Sequence, residues 1–441
     1  MGKWYNPYYE KERQVFSLEK EYTSACGVKI YSYKNSASHG FFISLFLRAG
    51  SVYENEDSLG ITHFLEHVAI RNINYNMSGG LYRELDRLGL EFNAYTSSDH
   101  VQFYISGAAA NFSVGAELLT KLISPITLPA SDIAAERRRI KAEIRESDDK
   151  NSLATFTNQI VYSTSPLKNA ILGTNRTVDK IGVKRLEEYR REVFSPNNIF
   201  FYVTGAFGGE DIETLARLTD AAYTSYVPVK KETVTPSLVP YGFCNRAGGV
   251  YIKNADFTML KLTFDIPKSV LQAPECDIIY DMLLSGYNSR LFIEMSERRG
   301  LFYDITGSLD RYPDVGSLAF SFELKEKDVY LAAEIIVGVL SDFCRRELGE
   351  ADIIRAPYTD NAYLLFDDIR EFNYTYAYDN HFLGRGYRTV EDRIAAYRAV
   401  TLESLRTVAK EIFRSSNLTL TAKAKKKKID TKRLSEIISS L

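Results

Sequence analysis

Apolar positions recur along this chain with two periods. Short runs rich in β-branched and aromatic residues occur at 41–47, 92–96, 101–106 and 199–204, and again at 260–264, 303–308 and 318–324. Such runs predict pleated, half-buried strands. Stretches with an apolar residue every third or fourth position run through 60–71, 131–147 and 329–346, and they predict amphipathic helices. The order mixes hairpin-like strand pairs with helices, so an α+β fold is expected rather than a doubly wound parallel sheet.

The pattern repeats. Leu81-Tyr82-Arg83-Glu84-Leu85, followed by Gly89-Leu90-Glu91-Phe92-Asn93, returns as Leu291-Phe292-Ile293-Glu294-Met295, followed by Gly300-Leu301-Phe302-Tyr303-Asp304. The offset is 210 residues for the first block and 211 for the second, so one residue is inserted between them. Each copy reads as an amphipathic helix closed by glycine and followed by a strand. An offset of nearly half the chain points to duplication. Residues 223–248 carry three prolines and little periodicity, which predicts a linker between a first domain at 1–222 and a second at 249–441.

Composition agrees and adds exclusions. At 441 residues the chain exceeds the ~250–300 at which a single core stops growing. Its 55 basic and 57 acidic residues give no electrostatic reason to expect nucleic acid. No apolar run approaches the roughly 18 residues of a membrane span, so no membrane partner is expected. The opening residues lack the apolar centre of a secretory signal and carry acids foreign to a transit peptide, which makes the cytoplasm the expected compartment. Cys26, Cys244, Cys276 and Cys344 have no metal or redox spacing and read as buried free thiols. The basic run of Lys423 and Lys425 to Lys428 reads as a solvated strand end or tail.

Chemistry enters at the histidines. The chain has five, and two of them stand four apart in His63-Phe-Leu-Glu66-His67. On a helix that spacing turns both imidazoles to one side, one turn apart, where they can grip a single Zn²⁺. Glu66 lies within reach of a metal-bound water without ligating the metal. A catalytic zinc takes three protein ligands and keeps a position open, so a third ligand is required. The segment 131–144 offers Glu136 and Glu143, which share a helix face within about 20°. One of the two can bind metal while the other supports a histidine N–H or a substrate amine. Ser131 or Asp132 is expected to cap this helix, and the arginines between the glutamates are expected to face solvent.

These residues resemble the pitrilysin/insulinase-type zinc peptidases, the inverzincins, and particularly their processing-peptidase-like branch. The likeness begins at Gly27-Val-Lys-Ile, continues through Arg48-Ala-Gly-Ser-Val-Tyr-Glu54 and His63–His67, and includes Phe92-Asn93-Ala94-Tyr95-Thr96, similar to the family's active-site edge strand. Glu143 stands 76 residues beyond His67 in a Glu-Arg-x5-Glu segment, the spacing at which the family places its glutamate ligand. Ser289-Arg-Leu-Phe and Arg299-Gly-Leu-Phe-Tyr303 resemble its second-half signature.

The resemblance implies two homologous α+β domains, each a mixed, mostly antiparallel sheet packed with helices, with metal ligands in the first alone. The counterpart of His63–His67 falls near Ala273–Asp277, where no histidine occurs. It implies a zinc endopeptidase for peptides or unfolded leader segments, with one Zn²⁺ per chain on His63, His67 and Glu143. Glu66 is then the general base, Glu136 a support behind the ligands, and Asn93, Ala94 and Thr96 the strand that pairs with an extended substrate. Tyr303 is expected either to donate to the oxyanion or to be a core strand aromatic. One departure bears on partners: the residue seven before Tyr303 is Ser296, where active members usually carry arginine. Arg298 and Arg299 are near, on another helical phase. A dimer is therefore expected, and a heterodimer above a homodimer, in which a related chain supplies the Arg/Tyr pair. The competing expectation is a catalytically silent scaffold or peptide-binding subunit of the same fold.

Overall fold

The computed structural model describes residues 18–147, 152–224, 246–251, 258–284, 288–345, 349, 353–425 and 429–439. The first half builds a six-stranded sheet from β1 (Lys20–Thr23), β2 (Lys29–Lys34), β3 (Gly40–Leu47), β4 (Glu91–Thr96), β5 (Val101–Ala108) and β6 (Ile199–Gly205), in the order β1-β2-β6-β3-β5-β4. The second half builds a five-stranded sheet from β7 (Arg246–Tyr251), β8 (Thr258–Asp265), β9 (Phe302–Arg311), β10 (Gly316–Leu324) and β11 (Leu418–Ala424), in the order β7-β11-β8-β10-β9. Without β1 the two orders coincide strand for strand. Each sheet has a single parallel pair, β2 with β6 and β11 with β7, and is otherwise antiparallel. The duplication expected from the repeat is thus present as duplicated topology.

Helices α1 (Ile61–Asn76) and α2 (Leu81–Leu88) connect β3 to β4, and α3 (Ala130–Glu146) and α4 (Leu153–Val161) follow β5. In the second half α5 (Glu275–Leu283) takes the place of α1, and α6 (Val329–Arg345) follows β10. The counterpart of α2 starts as a helical turn at Arg290–Phe292 and continues as a π turn at Ile293–Glu297. A π turn is one residue inserted into a helix. It therefore absorbs the extra residue between the two repeat blocks. Gly89 and Gly300 close the two helices in left-handed conformations, at φ 62° and 58°, where a side chain would be strained.

The sheets differ in how their faces are covered. Along β3, Phe41, Ile43, Leu45 and Leu47 enter the core beneath α1, while Phe46 enters a second cluster on the opposite face. A strand apolar on both sides must be covered on both sides. The second cover comes from the other half of the chain: Phe372 and Tyr376 on α7 (Ile369–His381) and Val390 and Ile394 on α8 (Val390–Arg398) pack on Tyr33, Phe46, Phe200 and Tyr202. Asn373 secures this layer by accepting from the Ser44 hydroxyl at 2.6 Å and donating to the Tyr202 carbonyl at 2.9 Å. In β10 the alternation is clean, with Leu318, Phe320, Phe322 and Leu324 in the core and Ser317, Ala319, Ser321 and Glu323 on the other face. That polar face receives α4 from the first half, through Thr157 Oγ1 to Thr421 Oγ1 at 2.6 Å. The halves thus exchange helices across their polar and apolar outer faces.

The helix at Gly209–Thr224 includes Tyr223 and Thr224, and β7 opens at Arg246, so both ends of the expected 223–248 linker are regular structure; 225–245 lie outside the described residues. Cys26, Cys276 and Cys344 are free thiols, Cys26 only half-buried, and Cys244 lies outside the described residues. Lys423 is half-buried on β11 rather than solvated, Lys425 is exposed, and 426–428 lie outside the described residues. Among the described residues no helix is long and apolar enough to cross a membrane.

Candidate metal centre

Helix α1 carries the histidine pair because its two faces have different partners. Ile61, Phe64, Leu65, Val68 and Ile73 are buried in the first core, which turns His63, Glu66 and His67 to the other side. Its start is held by Glu54, whose carboxylate accepts from the Gly60 N–H at 2.7 Å and the Thr62 N–H at 2.8 Å. These are two of the donors a helix N-terminus leaves unpaired. Gly60 sits at φ 88°, and a Cβ there would stand 2.5 Å from the Leu172 carbonyl oxygen, so glycine is required.

Helix α3 lies against α1 and supplies the carboxylates. Glu143 Oε2 is 3.1 Å from His63 Nε2 and 3.6 Å from His67 Nε2, and one ligand atom from each of the three residues falls within 4.8 Å of the others. Tetrahedral zinc with bonds of ~2.0–2.1 Å spaces its ligands by roughly 3.4 Å, so these atoms fit one ion with little adjustment. Two imidazoles and a carboxylate are also a donor set suited to zinc. The side chains of His63 and His67 are 14% and 11% exposed, and that of Glu143 is 33% exposed, which leaves an open approach.

Behind these three candidate ligands runs a chain of ion pairs. Glu136 Oε2 meets His67 Nδ1 at 3.1 Å, which leaves Nε2 for the metal side. Glu136 Oε1 accepts from Arg71 at 2.7 Å, and Arg71 also donates to Asp132 at 3.0 Å through Nε. Burial acts against the Glu136 charge, but His67 and Arg71 outweigh it and hold its carboxyl below the usual range. Asp132 is therefore occupied with Arg71. The cap position of α3 is Pro129, without a side-chain cap, contrary to the expectation for Ser131 or Asp132. Arg137 departs too: it donates to the carbonyls of Val178 and Ile181 at 3.2 and 2.5 Å rather than facing solvent.

Glu66 stands beside the ligands, with Oε2 3.8 Å from His63 Nδ1, and accepts a hydrogen bond from Thr96 Oγ1. Burial disfavours its charge, yet His63, Thr96 and His67 lower its pKa, and it stays a carboxylate. Burial likewise opposes a charge on His63, and the pull of Glu66 and Glu143 raises its pKa. Thr96 also has a side-chain task that the sequence did not show: its buried hydroxyl holds Glu66. Asn93 and Ala94 lie on β4, an edge strand that among the described residues pairs with β5 alone, and the Ala94 N–H is met by Asn93 Oδ1 at 2.8 Å. A cleft of about 890 Å³ opens here, lined by Glu66, His67, Tyr75, Tyr82, Phe92 and Asn93 among others.

Sequence reasoning missed the roles of Arg71, Asp132 and Glu54 at this site. The first two were signalled by spacing, Arg71 four residues after His67 and Asp132 four before Glu136, each one turn along the same face. Tyr303 lies on β9, and its side chain is outside the described residues. Ser296 sits in the π turn, and Arg298 and Arg299 are both engaged by Glu294, Arg299 at 2.7 Å.

Comparisons with known proteins decide the family. The description "Insulinase (Peptidase family M16)" matches residues 29–175, which hold the whole centre, and "Peptidase M16 inactive domain" matches 180–356. The chain belongs to peptidase family M16. An uncharacterized zinc protease of Rickettsia bellii is 23% identical over 70% of this M16 chain and 74% of its own. Cytochrome b-c1 complex subunit 1, mitochondrial, of Bos taurus is 25% identical over 54% of the chain and 49% of its own length. Among solved structures, a protease from Helicobacter pylori superposes with a TM-score of 0.82 at 18% identity, covering 92% of this chain and 100% of that one. The periplasmic protease PqqL of Escherichia coli gives a TM-score of 0.78 at 17% identity, covering 96% of this M16 chain and 50% of that one.

Proposed function

We propose that this M16 chain is a zinc-dependent endopeptidase that cleaves extended peptides or unfolded leader segments. The carrying observation is the convergence of His63, His67 and Glu143 on one point with the Glu66 carboxylate held beside it. Zinc bound there supplies Lewis acidity for the scissile carbonyl and for the attacking water. Glu66 takes a proton from that water and delivers it to the leaving amine, roles suited to a carboxylate kept ionised by its neighbours. Glu136 fixes the His67 ring through Nδ1. The free edge of β4 at Asn93 and Ala94 takes the substrate as an added strand, with backbone hydrogen bonds that demand little of its sequence. Free thiols at the described cysteines suit a cytoplasmic setting.

Pairing belongs to the same reading. The chain matches half of the length of PqqL, and Ser296 leaves it without the arginine expected opposite a metal site. A dimer, with a related chain contributing an Arg/Tyr pair, supplies that group. Full activity of the homodimer alone would remove the need for a heterologous partner.

The second reading is a non-cleaving subunit, favoured by the relative that is a subunit of the cytochrome b-c1 complex. Glu66→Gln separates the two. On the peptidase reading the variant keeps one zinc per chain by metal analysis and loses cleavage of a mixed peptide library by at least about a hundredfold. Unchanged cleavage, or no cleavage by the unaltered chain with its partner, sinks it.

A further inference from the structure

The second sheet carries a basic pocket that the zinc chemistry does not use. It lies on the polar face of β8 to β11, opposite the core, as a cavity of about 370 Å³ beside the first turn of α4. Lys261 on β8 and Lys423 on β11 enter it with the hydroxyl-bearing Thr306, Ser308 and Ser321. The register sets the arrangement: Ser321 stands across from Lys261 on one side and Thr306 on the other, so ammonium and hydroxyls form one row across three strands. Lys423 stands opposite Met259, two residues before Lys261 on β8.

Three features mark this as a place for an anion. Among the described residues neither lysine has a hydrogen-bond or ion-pair partner for its ammonium. Burial lowers the pKa of Lys261, opposed by the charge of Asp310, whose carboxylate is itself met by Ser308 Oγ at 3.0 Å. A half-buried ammonium without a close counter-charge is costly, and a bound anion removes that cost. The α4 N-terminus, at Ser152 to Ala154, adds its partial positive charge on the same cavity.

The pocket is also within reach of the metal centre. Ser152 follows Glu143 by nine residues, the first of them helical, so the two lie at most ~27 Å apart. An extended peptide covers that distance with about eight residues. Resting on the peptidase reading above, we propose that Lys261, Lys423 and the hydroxyls of Thr306 and Ser321 hold a carboxylate of the peptide substrate, a C-terminal group or an acidic side chain, away from the scissile bond. The shared chemistry is an oxyanion, which a free inorganic anion can also supply.

Binding, rather than cleavage, tests this. The zinc-loaded Glu66→Gln chain is titrated, by fluorescence anisotropy, with labelled peptides that carry a terminal carboxylate, an internal acid, or amides at both positions, and with inorganic phosphate as competitor. The expected result is about tenfold tighter binding of the carboxylate-bearing peptides, lost in Lys261→Met/Lys423→Met and reduced in Lys423→Met alone, with zinc content unchanged. Equal binding of acid and amide peptides overturns the proposal, as does a preference that survives the double substitution. Phosphate that binds while the peptides show no preference overturns it as well, since the anion is then not the substrate's. Failure of the unaltered enzyme to cleave counts against the peptidase reading and leaves these binding differences measurable.

Discussion

Helices α1 and α5 occupy the same place in the two halves, each leading from the central strand of its sheet towards the edge strand, and their polar residues meet opposite fates. On α1, His63 and His67 converge with Glu143 at the rim of an open cleft. On α5, Asp277 turns inward: Arg311 donates to it at 2.7 Å, Tyr397 at 2.9 Å, and Arg385 at 3.3 Å. Burial opposes its charge, but the two guanidiniums hold its carboxyl well below the usual carboxylate range. A carboxylate committed to two cations and a phenol has nothing left for a ligand. Donors that converge with one side open do. The commitment also serves the first half, because Arg385 follows α7, and Arg385 and Arg393 both pair with Asp379, at 3.5 and 2.6 Å. The helix without metal donors thus anchors the layer that covers the sheet of the half that has them.

The comparison breaks if the two helices respond alike to loss of one polar residue. His67→Ala is expected to abolish zinc binding and cleavage, by a factor of about 10³ or more, while the apo protein unfolds at nearly the same denaturant concentration. Asp277→Asn is expected to keep one zinc per chain and lose about 3–5 kcal/mol of stability in urea unfolding, since two guanidiniums stay buried without their counter-charge. The pH dependence follows from the depressed carboxyl of Asp277. Its contribution is fully present above the unfolded-state value of about 3.9 and is lost as pH falls below it. The stability gap between the two proteins should therefore be constant near neutrality and narrow below about pH 4. A gap that widens in acid contradicts the assignment.

A smaller effect separates the ligands from what stands behind them. Glu136→Gln removes a charge from His67 Nδ1 and from Arg71 but no metal donor. Zinc affinity should fall roughly 10–100-fold in a chelator competition, with stoichiometry unchanged. Loss of zinc as complete as in His67→Ala would instead make Glu136 a ligand in place of Glu143.

What was legible in the chain follows the range of the interactions. The His63–Glu66–His67 face and the Glu136/Glu143 face are set by helical period, which sequence displays directly. The one-residue slip between the repeats was visible as an offset and has its cause in the π turn at Ile293–Glu297. The exchange of helices was not legible. The apolar face of α7 announces burial but not its partner, and that partner, around Tyr33 and Tyr202, lies over 150 residues away in the chain. Arg137 misled for the same reason, since its acceptors are carbonyls beyond the segment that period describes.

Thr96 gives the finest test, because its hydroxyl and its backbone can do different work. As part of a substrate-pairing strand its contribution is to binding; as the donor to Glu66 Oε2 it orients the base. Thr96→Val keeps shape and strand propensity and removes the hydroxyl alone. If the hydroxyl positions Glu66, kcat falls about ten- to a hundredfold with KM little changed, since a slightly misplaced base costs the chemical step rather than substrate affinity. A rise in KM at constant kcat would make the hydroxyl a substrate contact and leave Glu66 to be oriented by His63 alone.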